Sequence, residues 1–237
     1  MTNSITAAEV VRQLRAVAKP HARRDMKRFG ISVEKALGGI SAPVLKKIAR
    51  QIGKNHSLAE ELWRTGIHEA RHMAALIDEP EKVTERQMER WARDFDSWDI
   101  VDGCCLYLLR KTPYAHRKAV EWSSRKEEFV KRAAFSMMAV LTVHDKEAGD
   151  GKFIRFLPFI KRQSTDERNF VKKAVNWALR QIGKRNLKLN KAAIKVGKEI
   201  RDIDSRSARW IAADALQELS SEAVQRRLRD KRRASKP

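Results

Sequence analysis

The chain has 237 residues and a net charge of +21, from 51 lysines and arginines against 30 acidic residues. Its hydrophobic content of 42% is too high for a disordered chain, and its 10 glycines and 6 prolines are too few for a turn-rich all-β fold. The charge predicts a polyanionic partner, nucleic acid before any other. No apolar run approaches the roughly 18 residues of a membrane span, so a membrane partner is not expected.

Apolar residues recur with a helical period along most of the chain, and no stretch alternates as a strand does. The least regular part, 26–42, has turns marked by Gly30, Gly38 and Gly39. Ser41 and Thr84 are placed to cap helices. The predicted helices cover residues 5–19, 41–52, 56–64, 67–77, a segment from 84, a segment from 98 that ends before Pro113, and then 114–122, 127–143, 152–161, 167–182, 190–203, 207–219 and 222–230.

A short motif repeats within this helical pattern. The segments Phe129-Val130-Lys131-Arg132-Ala133-Ala134 and Phe170-Val171-Lys172-Lys173-Ala174-Val175 match almost residue by residue, 41 positions apart, and weaker copies occupy 69–75 and 207–213. A period near 40 with two helices per unit is typical of HEAT-like repeats. We therefore predict an all-α, HEAT-like repeat α-solenoid.

When the copies are aligned, one position is basic in all four. In a solenoid, one helix of each pair lines the concave face, so these residues would form a basic, phosphate-binding track along it. The alternative for each of them is an ordinary solvated helix charge. The four residues are Arg71, Arg132, Lys173 and Arg209.

The remaining features bear on organisation and environment. Residues 1–230 are predicted to form one repeat domain and 231–237 a basic tail. The adjacent Cys104 and Cys105 are expected to be buried, reduced thiols, which favours the cytoplasm. Met1 to Lys19 has no unbroken apolar region, so no secretory signal is expected.

The segment His68-Glu69-Ala70-Arg71-His72 fits the zinc-peptidase pattern H-E-x-x-H. Such a site needs a third protein ligand, for which Glu85 or Glu89 are candidates, and a neighbouring sheet, which is not predicted. The repeat explains the segment without a metal, because Arg71 takes the repeat's basic position. We predict no metal or cofactor and keep a zinc peptidase through His68 and His72 as a third hypothesis.

Trp98 and Asp102 lie four residues apart in Ser97-Trp98-Asp99-Ile100-Val101-Asp102, so they share one side of a helix that Ser97 or Asp96 can cap. Val101 and Cys105 flank Asp102, which places its carboxylate at the border of the core, where it needs a partner or a function. An indole and a carboxylate in a strongly basic chain suit a cationic, aromatic substrate within a polyanion.

Three segments resemble the AlkD-like family of DNA alkylation repair glycosylases. They are residues 26–43 with their glycines, the Trp98-Asp99-Ile100-Val101-Asp102 motif, which matches W-D-x-V-D, and the pair of repeats at 130–134 and 172–180. The resemblance extends from about Arg12 to Leu216. The W-D-x-V-D match is its most specific element, since basic-Ala-Ala repeats fit many HEAT-like proteins.

The resemblance implies a site. Trp98 and Trp177 correspond to the tryptophans that contact the lesion, Asp102 to the catalytic acid, and Arg132 to a DNA-contacting arginine. Lys173, Arg180, Arg71 and Arg209 are further predicted DNA contacts. An aromatic residue near the family's first repeat also approaches the lesion, whereas this sequence has Arg24-Asp25-Met26 at the aligned place.

The family removes N3- and N7-alkylated purines from duplex DNA without swinging the base into a deep pocket. We accordingly predict a monofunctional DNA glycosylase that acts as a monomer. Its Trp98, Asp102, Arg132 and Trp177 side chains are expected to lie together in one groove. The alternative is a HEAT-repeat scaffold that binds nucleic acid without chemistry.

Overall fold

A computed structural model of the chain describes residues 5–234. In this range the secondary structure is helices joined by turns and loops, with no strand. No helix in this range is long and apolar enough to cross a membrane. Three short 3-10 turns, Pro20–Ala22, Leu109–Lys111 and Trp122–Ser124, separate some of the helices. The α-helices are α1 (Ala7–Val17), α2 (Arg23–Arg28), α3 (Ala42–Ile52), α4 (His56–Arg64), α5 (His68–Ile77), α6 (Glu85–Arg93), α7 (Trp98–Tyr107), α8 (Ala115–Glu121), α9 (Glu128–His144), α10 (Asp150–Ile154), α11 (Leu157–Gln163), α12 (Asn169–Gly183), α13 (Leu187–Arg201), α14 (Arg206–Ser220) and α15 (Glu222–Ala234).

The predicted all-α class is confirmed, and the helices differ from the prediction at a few places. Helix α2 was not predicted, because its six residues contain only one apolar side chain. The single helix expected at 152–161 is two helices, since Pro158 occupies the first turn of α11, where a missing N–H costs nothing. Helix α13 begins three residues earlier than expected, at a cap formed by Asn186.

The four copies of the repeat motif lie at nearly the same place in their helices. The basic residue is the fourth residue of α5 and α14 and the fifth residue of α9 and α12. The alanines next to these basic residues, Ala70, Ala133, Ala174 and Ala208, are buried. In the second half of the chain α9 packs against α12, and α12 against α13 and α14.

The chain divides into two compact units, Met1–Tyr114 and Ala115–Pro237. The core of the first contains Trp63 and Trp91, whose rings stack 4.0 Å apart. The predicted single domain, residues 1–230, spans both units. Helix α15 continues through its predicted end at 230 to Ala234, and residues 235–237 of the predicted tail lie outside the described residues.

Candidate functional site

The N-terminus of α7 presents the two residues that the sequence singles out. Trp98 is the first helical residue, Asp102 follows one turn later, and both side chains are half-buried. Ser97 occupies the N-cap position, as predicted, but its hydroxyl donates to Asp99 Oδ1 at 2.5 Å and does not cap the helix. An indole and a carboxylate therefore stand on one side of α7 with access to solvent.

The loop after α2 holds Trp98 in place. The indole Nε1 of Trp98 donates to the backbone carbonyl of Phe29 at 3.0 Å. The Phe29 side chain is 66% exposed, which is unusual for an apolar ring of this size. Gly30, with φ of 73°, makes the turn that follows. The sequence analysis did not single out Phe29 as a site residue, and its only signal was an aromatic residue directly before a glycine.

Glu69 fixes the second loop that borders this region. Its carboxylate accepts hydrogen bonds from the backbone N–H groups of Leu37 at 2.8 Å and Gly38 at 3.1 Å. Gly38 has φ of 123°, and a Cβ there would clash with the backbone of Lys19 and Pro20, so only glycine fits. Because Glu69 is buried against this loop, it is not placed to act as the base of a zinc peptidase.

The two histidines of α5 converge on α7. The Nε2 atoms of His68 and His72 lie 2.9 and 3.2 Å from the same carboxylate oxygen, Oδ2 of Asp99. Burial alone would raise the pKa of Asp99, but the hydrogen bonds from both histidines hold it far below its usual range. Burial lowers the pKa of His68, yet the hydrogen bond and charge of Asp99 outweigh it and raise that pKa. The sequence pattern suggested Glu85 or Glu89 as a third ligand beside these histidines and did not connect them with Asp99.

The other predicted site residues, apart from Arg71 of α5, belong to the second unit. Trp177 is half-buried on α12, and Lys173 of the same helix is exposed. Arg180 forms ion pairs of 3.2 Å with both Asp214 and Glu218 of α14. These residues therefore lie in a different unit from Trp98 and Asp102. The convergence of Trp98, Asp102, Arg132 and Trp177 on one groove remains a prediction.

The basic repeat positions divide into two kinds. Arg132 is only 6% exposed, and its Nη1 donates to the backbone carbonyl of Phe170 at 2.8 Å. Arg71 is also mostly covered, donates to the carbonyl of Asp94 at 3.0 Å, and lies over the ring of Trp63. Lys173 and Arg209 are exposed, and Arg209 pairs with Asp204 at 2.8 Å. Of these four basic residues, only Lys173 and Arg209 are exposed to solvent.

The remaining tryptophans and the cysteines complete the comparison with the sequence. Cys104 and Cys105 are both buried and outside any disulfide, as predicted, and burial raises the pKa of the Cys104 thiol. Trp63, Trp91 and Trp122 are core residues. Trp210 is 40% exposed and lies beneath the ammonium group of Lys172.

The fold defines a helical repeat protein of the HEAT-like class. A solved structure described as a member of a new family of proteins related to the HEAT-like repeat DNA glycosylases, with affinity for branched DNA structures, superposes with a TM-score of 0.74 at 22% sequence identity. The match covers 89% of this chain and 94% of that one. At this identity the likeness supports the fold alone.

The family model described as DNA alkylation repair enzyme matches residues 10–219, so the chain belongs to the DNA alkylation repair enzyme family. An uncharacterized protein of Listeria innocua, Lin0241, is 27% identical over 130 residues. That match covers 54% of this chain and 58% of the relative, so the chain spans little more than half the length of this curated relative. The family match confirms the resemblance inferred from the sequence.

Proposed function

We propose that this member of the DNA alkylation repair family is a DNA glycosylase. Its reaction is hydrolysis of the N-glycosidic bond of cationic N3- or N7-alkylated purines in duplex DNA, which leaves an abasic site. The observation that carries the proposal is the pairing of Trp98 and Asp102, one helical turn apart and both accessible, at the N-terminus of α7.

The chemistry needs little more than these two groups. Alkylation gives the purine a positive charge, so the base leaves as a neutral molecule with the electron pair of the broken bond. The deoxyribose then carries a positive, oxocarbenium-like charge, as in glycoside hydrolysis. The Asp102 carboxylate stabilises this charge and orients the water that adds to the sugar carbon. A strong general acid is not required.

Aromatic side chains supply the affinity for the cationic base. The face of the Trp98 indole attracts a positive ring, and the indole is held in place by its bond to Phe29. The exposed ring of Phe29 supports a further proposal, that it provides the aromatic contact which the aligned Arg24-Asp25-Met26 lacks. Trp177, Lys173 and Arg180 remain proposed contacts of the second unit.

A base-release assay on methylated duplex DNA tests the proposal. The wild-type chain should release 7-methylguanine or 3-methyladenine, and Asp102→Asn should lower the rate by about 100-fold or more. Asp96→Asn is the matched control, because Asp96 precedes the same helix and is half exposed. Release by Asp102→Asn at the wild-type rate would remove Asp102 from the mechanism.

A second candidate is a scaffold that binds nucleic acid without chemistry. It is favoured by the solved structure of similar fold, which is described as having affinity for branched DNA structures. Both candidates predict DNA binding, so only catalysis separates them. Absence of base release by a folded wild-type chain that binds duplex or branched DNA would decide for the scaffold.

A further inference from the structure

Three metal-binding side chains meet between α5 and α7. His68 and His72 are four residues apart on α5, so both imidazoles project from one side of the helix. Asp99 lies in the first turn of α7. Their ligand atoms all lie within 4.8 Å of one another. The three side chains are between 7% and 19% exposed, so the cluster is sheltered but reachable from solvent.

The two distances from the Asp99 carboxylate to the histidines fit a coordination sphere. Zinc binds imidazole nitrogen at about 2.0–2.1 Å and carboxylate oxygen at about 2.0–2.2 Å, so two ligands of one ion lie roughly 3 Å apart. The separations from Asp99 Oδ2 to the two Nε2 atoms are 2.9 and 3.2 Å. Two histidines and one carboxylate form a three-ligand set that leaves a coordination position open.

The surroundings favour a cation even though the chain as a whole is strongly basic. Asp96 and the buried Glu69 lie near His68 in addition to Asp99, so three carboxylates act on the His68 imidazole. The hydroxyl of Ser97 donates to the second oxygen of Asp99 and orients the carboxylate, which is the role that outer partners have in metal sites.

Gly103 gives His72 the space that this geometry needs. A Cβ at Gly103 would lie 3.0 Å from Nδ1 and 3.2 Å from Cε1 of His72, tighter than ordinary contact. The absence of a side chain at this position of α7 therefore lets the imidazole lie against the helix. The substitution Gly103→Ala therefore offers a way to disturb the site without removing a ligand.

We propose that His68, His72 and Asp99 bind one divalent transition-metal ion of the zinc type. The ion would link the N-terminus of α5 to the N-terminus of α7, beside Trp98. It is not a peptidase centre, because Glu69 is committed to the backbone of Leu37 and Gly38. This proposal does not depend on glycosylase activity.

Metal titration of the tag-free, chelator-stripped chain tests the proposal. Cobalt(II) followed by visible absorption, and zinc followed by calorimetry, should each show one ion bound per chain. His72→Gln and Asp99→Asn should each weaken binding at least about tenfold. Gly103→Ala should also weaken it, although all three ligands remain.

His116→Gln is the matched control, since His116 forms a similar pair with Asp145 at 2.8 Å but belongs to no group of three metal-binding side chains among the described residues. It should bind metal as the wild type does. A folded wild-type chain that binds no stoichiometric metal would overturn the proposal and leave a hydrogen-bonded cluster. Affinity unchanged in His72→Gln, or equally reduced in His116→Gln, would overturn it as well. The wild-type titration decides even if a ligand variant does not fold, as judged by circular dichroism.

Discussion

The two best-matched copies of the repeat, 129–134 and 170–175, have nearly the same sequence and the same helical register, yet their basic side chains differ in their surroundings. In the first copy Lys131 is mostly covered and its ammonium group binds Gln163 at 2.9 Å and Asp166 at 3.0 Å. Arg132 beside it is almost fully buried. The first copy therefore uses its cations inside the protein.

The second copy presents its cations differently. Lys172, which corresponds to Lys131, lies over the partly exposed ring of Trp210, with 5.5 Å between its Nζ and the ring centroid. Lys173, which corresponds to Arg132, is exposed. The sequence motif thus determines where a basic side chain stands on its helix but not what it binds.

The neighbouring repeat explains the difference. Helix α9 packs against α12, the rings of Phe129 and Phe170 lie 5.6 Å apart, and Arg132 donates to the carbonyl of Phe170 itself. The first copy is thereby joined to the second through its basic residue. A basic residue in a repeat protein can hold adjacent repeats together as well as bind a ligand, and burial distinguishes the two roles.

The largest expected effect comes from removing the joining arginine. Arg132→Ala should lower the free energy of unfolding by about 2–4 kcal/mol, because it removes a charged hydrogen bond and leaves a cavity. Lys173→Ala, the same change in the second copy, should stay within about 0.5 kcal/mol. Urea unfolding of both variants makes the measurement. Equal effects would show that the copies do not differ in this way.

Acid should weaken the first copy's ion-pair network. Burial on its own would raise the pKa of Asp166, but hydrogen bonds from Arg168 and Lys131 lower it to about 2. A lowered pKa contributes stability above the unfolded-state value, and this contribution is lost as the pH falls through the folded-state value. Asp166→Asn should therefore cost about 1–2 kcal/mol at pH 7, after allowance for solvent screening.

The difference between wild type and Asp166→Asn should shrink between about pH 4 and pH 2, where the native carboxylate becomes protonated. Asp204→Asn is the matched control, because Asp204 is fully exposed in its pair with Arg209. That variant should unfold as the wild type does at every pH. A difference for Asp166→Asn that is constant with pH would contradict the role of its charge.

Much of the fold follows from local sequence, because periodic apolar residues and capping residues act within one helix. The four repeat copies could be recognised for the same reason, because each copy lies within one helix. Helix α2 was not, since a charged segment such as 23–28 has no apolar period to reveal it. The burial of the Arg132 side chain depends on the helix that packs over it, and no local sequence pattern predicts that packing.

The candidate site shows the same limit. The pairing of Trp98 and Asp102 could be predicted because two residues that are four positions apart on one helix lie on the same side of it. Asp99 is 27 residues beyond His72 in sequence, and they meet only because α5 packs against α7. The histidine pattern was therefore recognised without its third member, and the exposed ring of Phe29 could not be told from a core residue.

The smallest expected effect concerns DNA and separates the two kinds of basic residue. If Lys173 neutralises one phosphate, Lys173→Ala should weaken duplex binding a few-fold and reduce the slope of log affinity against log salt by about one. Lys191→Ala, an exposed lysine on α13, is the control for a general loss of charge and should leave the slope unchanged. Arg132→Gln, compared at matched folded fraction, should also leave the slope unchanged, because the Arg132 side chain is buried and donates to the carbonyl of Phe170. A slope reduced by Arg132→Gln and not by Lys173→Ala would reverse the assignment and make the buried arginine the DNA contact.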